Sequence, residues 1–154
     1  MALTMILGYD GSDCAKKALG RAADLARAAG GARVAVVYAY ELSIGYVPMG
    51  MADSPLLMSA EYGRHLDLLR EHGDAVVADA AAALEAAGAT VERVVVDDEP
   101  VDALLTAAAD LGADLIVVGS HGQGAVSAAF LGSTAMKLLH RSEVPVLVVP
   151  RHKD

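Results

Sequence analysis

The strongest constraint on the fold is an alternation. Short apolar runs rich in Val, Ile and Leu are each followed by a stretch of helical periodicity. The runs are TMILGY (Thr4–Tyr9), ARVAVVYAY (Ala32–Tyr40), TVERVVV (Thr90–Val96), ADLIVVG (Ala113–Gly119) and VPVLVVP (Val144–Pro150). Between them, apolar residues recur three and four positions apart, as in Ala15, Ala18, Leu19, Ala22, Leu25, Ala26 and Ala29, or Leu66, Leu69, Val76, Val77, Ala80, Leu84 and Ala87. Strands that are apolar throughout belong to a parallel sheet covered on both faces, and the helical stretches supply the crossovers. The expected fold is therefore α/β, a three-layer sandwich with a five-stranded parallel sheet and helices on both sides, in one domain spanning 1–154. Such sheets bind ligands beyond the C-terminal ends of their strands, where strand order reverses. Asp10, Ala39-Tyr40, Asp97-Asp98 and the chain from Gly119 onward stand at those ends.

Punctuation supports the helices. Ser12 is placed to cap the first, with Asp13 at the positive end of its dipole and Gly30-Gly31 to stop it. Pro100 opens a short helix carrying Val101, Leu104, Leu105, Ala108 and Leu111, with Asp97 or Asp98 as acidic caps and Gly112 as its stop. Ala135, Met136 and Leu139 define a last helix, with Lys137, His140 and Arg141 in or near its final turn. The stretch Glu41–Tyr62 reads as one long irregular loop. Its Met49, Met51 and Met58 would give either adaptable apolar cover or a partner surface.

Composition removes several classes. The net charge of −8, with no cluster of Lys and Arg, argues against nucleic acid and against anionic membranes. No apolar run approaches the roughly 20 residues that span a bilayer. The start MALTMILGYDGS lacks the basic stretch and cleavage site of a signal peptide. Cys14 is the one cysteine, which excludes an internal disulfide and suits a reducing compartment, and it reads as a small buried hydrophobe. A cytoplasmic location is expected.

The informative stretch is GSHGQGAVSAAFLGST, Gly119–Thr134. A P-loop needs Lys directly after its last glycine, and Gly132 is followed by Ser133. Gly122-Gln-Gly124-Ala-Val-Ser127 partly matches a dinucleotide fingerprint, with Glu41 as the acid, but that fingerprint belongs after the first strand and not the fourth. The remaining pattern is Gly119-x2-Gly122-x9-Gly132-Ser133. Gly119 and Gly122 remove Cβ atoms where backbone would approach a ligand closely and could take positive φ. Gly132, Ser133 and Thr134 stand at a helix start, whose free N–H groups and dipole attract anions. Without a ligand, Ser133 or Thr134 would simply cap that helix.

With YDGS after the first strand, DLIVVGSHGQG, LGST and the closing VPVLVVP, the whole chain resembles the universal stress protein family, in its ATP-binding branch. The resemblance implies the adenine nucleotide alpha hydrolase-like, Rossmann-like version of the fold. It implies a site for ATP, or AMP, with Mg2+ or Mn2+ carried by the nucleotide. Asp10 would lie near the ribose and the metal-bound phosphates, alongside its own role in an Asx-turn. Backbone at Ala39 would hold the adenine, Val118 would give apolar cover, and Gly119, Gly122, Gly132, Ser133 and Thr134 would cradle the phosphates. His121 lies between two of those glycines, as a phosphate or ribose contact, an exposed bystander or, less simply, a base without a visible orienting partner. Ala135 stands where some relatives carry a further hydroxyl. The family also implies a homodimer through the last strand, Val144–Val149, and regulation through an unknown protein partner. Any hydrolysis of ATP would be slow, because the loop offers neither a convincing base nor an arginine finger.

Three other readings carry less. A receiver domain would use Asp97 or Asp98 but lacks the acidic pair after the first strand and the Lys after the fifth. An adenylating enzyme would need a longer run of small residues than GYDGSD. A nucleotide-free interaction module would share the fold and lack the glycine pattern.

Overall fold

The computed structural model describes residues 2–41, 55–123 and 130–151. Its elements alternate as the apolar runs require: β1 (Leu3–Gly8), α1 (Asp13–Ala28), β2 (Ala32–Tyr40), α2 (Pro55–Ala86), β3 (Ala89–Asp97), α3 (Pro100–Leu111), β4 (Leu115–Gly119), α4 (Ser133–Arg141) and β5 (Val146–Val149). The five strands form one sheet in the order β3-β2-β1-β4-β5, and every pairing is parallel.

Two apolar layers flank the sheet. Met5, Leu7, Val34 and Val36 face α1 and α2, where they meet Ala18, Ala22, Val77, Ala80 and Leu84. Ile6, Ala35, Val37, Ile116 and Val118 face α3 and α4, where they meet Val101, Leu104, Ala108 and Leu138. Alternate residues of β1 thus enter opposite cores, which is why Met5, Ile6 and Leu7 form an unbroken apolar run. The many alanines of α1 bring that helix close to the sheet, as expected of a core with so few aromatic rings. Cys14 is buried in the same wall.

Several end signals act as read. Ser12 Oγ accepts the amide of Ala15 at 3.2 Å and caps α1, and Gly112 closes α3 with φ of 58°, a left-handed conformation suited to glycine. Two expectations are corrected. The N-cap of α3 is Glu99, whose side chain makes no capping bond, while Asp98 turns back to accept the amide of Glu99 at 2.8 Å. The loop expected over Glu41–Tyr62 is shorter, because α2 begins at Pro55. Pro suits the first turn of a helix, and LLMSAEY holds good helix formers; Gly63 is carried within the helix at a cost of about 1 kcal/mol. The rest of that stretch, 42–54 with Met49 and Met51, lies outside the described residues, as do Gly124 and His152.

β5 is one margin of the sheet and β3 the other. Among the described residues no helix is long and apolar enough to cross a membrane.

Candidate functional site

β1 and β4 are neighbours at the middle of the sheet, yet their following helices diverge. α1 packs on one face and α4 on the other, so the chain splits apart beyond the C-terminal ends of these strands. A cleft of about 760 Å³ opens there. All nine sequence-derived candidates line it: Asp10 from the end of β1, Ala39 from β2, Val118 and Gly119 from β4, His121 and Gly122 from the following loop, and Gly132, Ser133 and Thr134 from the start of α4. Residues 110 or more positions apart in sequence are brought together by one crossover geometry.

The glycines expected to cradle phosphates have a different physical reason from the one the sequence suggests. None of Gly119, Gly122 and Gly132 has positive φ. A Cβ on Gly119 would lie 2.7 Å from Cys14 Cβ and 2.8 Å from the Cys14 carbonyl carbon, inside the backbone of α1. One on Gly132 would lie 2.8 Å from the carbonyl oxygen of Ser120, and one on Gly122 would lie 3.1 Å from Asp10 Oδ2. These glycines let the strand end, the loop and two helices converge on one point. They shape the cleft by chain packing before any ligand is considered.

Asp10 ties the convergence together. Its Oδ1 accepts the amide of Ser12 at 2.9 Å, the Asx-turn expected of YDGS, and its Oδ2 accepts the amide of Gln123 at 3.1 Å. Gln123 returns the contact by donating from Nε2 to the Asp10 carbonyl oxygen at 3.1 Å. A carboxylate offers about four acceptor directions, so this one keeps capacity for a ligand or a cation. Among the described residues no three His, Cys, Asp or Glu side chains converge as a ready metal site.

Among the described residues no side chain caps the start of α4. Gly132 is its N-cap residue, with no side-chain capping bond, so neither Ser133 nor Thr134 takes the capping role that was the simpler expectation. Gly132 donates its amide to the Ser120 carbonyl oxygen at 2.7 Å, and the helix ladder begins only with Met136 donating to the Gly132 carbonyl at 3.0 Å. The amides of the first helical residues therefore lack intrahelical acceptors and sit at the positive end of the helix dipole.

His121 does have an orienting neighbour that the sequence reading missed, the residue directly before it. Ser120 Oγ lies 2.8 Å from His121 Nδ1, accepts the amide of Arg151 at 3.2 Å, and lies 3.9 Å from Cys14 Sγ. Ser120 is buried and already engaged, which suits a positioning role and not a nucleophile. His121 Nε2 is buried without a hydrogen-bond partner.

The other missed residues are Tyr9, Tyr38, His72 and Gln123, all in the cleft lining. Tyr9 and Tyr38 adjoin Asp10 and Ala39 in sequence, and that adjacency was a usable signal. Burial first, then the charges of Asp79 and Asp10, raise the pKa of Tyr9 above the ordinary phenol value; burial and then Asp10 do the same for Tyr38. Both phenols thus stay protonated well above neutral pH.

The order 3-2-1-4-5, with a cleft and a helix N-terminus at the point of reversal, defines the class of doubly wound α/β proteins. Within that class the universal stress protein family model matches residues 1–150, so the chain belongs to the universal stress protein family. A universal stress protein of Thermus aquaticus is 38% identical over 152 residues, covering 97% of this chain and 99% of that protein. Among solved structures, the protein MJ0577 matches with a TM-score of 0.81 over 100% of this chain and 99% of its own, at 23% identity. A universal stress protein in complex with cAMP matches at 29% identity and a TM-score of 0.64, over 97% of each chain.

Proposed function

We propose that the chain is an adenine-nucleotide-binding regulator of the stress response, taking ATP or AMP in the cleft between β1 and β4. The observation that carries this reading is the start of α4, which no described side chain caps and whose first amides, with the Ser133 and Thr134 side chains, border the same cleft as Asp10. A nucleotide would place its phosphates against Gly119, Gly122, Gly132, Ser133 and Thr134, and its sugar near Asp10 and His121. Its base would lie by Ala39 and Val118. The cAMP complex of a relative at 29% identity supports an adenine ligand.

The described lining contains no Lys or Arg. On a protein of net charge −8, phosphates held only by neutral amides and hydroxyls call for a counter-ion. Mg2+ or Mn2+ would be held mainly by the phosphates, with Asp10 as the one carboxylate among the described lining residues. The lack of Lys and Arg in the described lining also supports a binding module with at most slow or partner-dependent ATP hydrolysis, since no arginine finger stands among those residues to act on a transferred phosphoryl group. Occupancy would act by changing contacts with a protein partner in the cytoplasm, from a homodimer joined through Val144–Val149.

Equilibrium dialysis with ATP and AMP, each with and without Mg2+, tests the reading. Saturable binding near one nucleotide per chain is expected. No binding of either would favour the nucleotide-free interaction module, and rapid turnover without a partner would favour an enzyme.

A further inference from the structure

We propose that Tyr38 sets the sugar specificity of the cleft: with Asp10, its phenol hydroxyl binds a ribose hydroxyl, so the site prefers ribonucleotides to deoxy forms. The inference rests on the nucleotide reading above and adds a residue to it.

The Tyr38 ring is held on three sides. Tyr38 and Tyr40 project to the same face of β2, with ring centroids 6.4 Å apart and tilted by 37°. His72 of α2 meets the ring edge-on at 5.9 Å and 75°. On the third side stands Gly73, where a Cβ would lie 2.6 Å from Tyr38 Cδ1 and 3.0 Å from Cε1. A glycine in the middle of a helix weakens it by about 1 kcal/mol relative to alanine, and here it cuts the notch that admits the ring. The ring is so fixed in the cleft whose lining also contains Asp10.

The two groups are complementary. The Asp10 carboxylate can only accept, and after its bonds to the Ser12 and Gln123 amides it retains free acceptor directions. The Tyr38 phenol is kept protonated by burial and by the Asp10 charge, so it supplies the donor that Asp10 lacks. A vicinal diol, in which each hydroxyl both donates and accepts, matches that pair. Position along the cleft agrees. The strands run β2-β1-β4 across it, with Ala39 on β2, Asp10 after β1, and the start of α4 beyond β4. A ligand with phosphate at α4 and base at β2 sets its sugar over the end of β1.

Titration of wild type and Tyr38→Phe with AMP and with 2′,3′-dideoxy-AMP tests the assignment, with thermal melting to verify folding. Wild type is expected to bind AMP about tenfold more tightly than the dideoxy analogue, the worth of one or two hydrogen bonds. Tyr38→Phe should lower AMP affinity roughly three- to tenfold and leave the dideoxy analogue unchanged. Gly73→Ala, which displaces the ring while keeping the tyrosine, should also narrow the preference. An AMP affinity unchanged in Tyr38→Phe, or an equal loss for both ligands, overturns the assignment of Tyr38 and leaves the nucleotide reading standing. Failure of wild type to bind either ligand removes both.

Discussion

Gly119 offers the sharpest separation between a glycine that serves a ligand and one that serves the fold. Gly119→Ala adds a single Cβ that would lie 2.7 Å from Cys14 Cβ, 2.8 Å from its carbonyl carbon and 3.0 Å from its carbonyl oxygen. Two of these three atoms are backbone of α1, which cannot rotate away, so β4 or α1 must shift. Overpacking of this kind costs about 1–3 kcal/mol, and the backbone partners place it toward the upper end. For a domain of this size each kcal/mol moves the melting point by about 2–4 °C, so a loss on the order of 5–10 °C is expected. Thermal and urea unfolding of the ligand-free protein would measure it. Cys14→Ala should not rescue the variant, because Cβ and both backbone atoms remain. A Gly119→Ala protein as stable as wild type, with only its ligand affinity reduced, would refute the packing argument.

Two further outcomes follow from the described geometry. The native phenols of Tyr9 and Tyr38 have raised pKa values, so the unfolded chain loses those protons first as alkali is added. Their contribution is complete below about pH 10 and disappears as pH climbs through the raised values, and the urea midpoint should fall above about pH 10; a midpoint independent of pH between 9 and 11 would contradict the assignment. In the proposed dimer, β5 is a sheet margin with Leu147 36% exposed, so Leu147→Lys should shift the mass in light scattering toward monomer. A wild type that is already monomeric at micromolar concentration would rule out that interface.

Much of this molecule was legible in the sequence because the determinants are local. β-branched runs, the Ser12 cap and the Gly112 stop each act within a few residues of themselves, and the spacing Gly119-x2-Gly122-x9-Gly132-Ser133 is at least visible along one stretch of chain. The parallel sheet then gathers the strand ends that the runs had marked. What escaped depends on contacts made at a distance. Gly63 and Pro55 look like loop residues until α2 is seen to carry both. His72 and Gly73 sit in the middle of a helix with nothing beside them in sequence to tie them to Tyr38. The glycine spacing marked positions that line the cleft, for an incomplete reason. Close approach to a ligand was the visible argument, whereas the near collisions with Cys14, Ser120 and Asp10 show that close approach of the chain to itself is required first.

The most direct test of nucleotide binding at the start of α4 is ATP affinity in wild type and in Ser133→Pro. Ser133 is the first helical residue, where proline is well tolerated, and Gly132 before it already holds the extended conformation that proline demands, with ψ of 152°. The substitution removes one amide donor and one hydroxyl while keeping the helix. The account predicts saturable binding of ATP to wild type, an affinity at least about tenfold weaker in Ser133→Pro, and equal thermal stability of the two free proteins. Equal ATP affinity in the two proteins, or no binding to wild type, would contradict it.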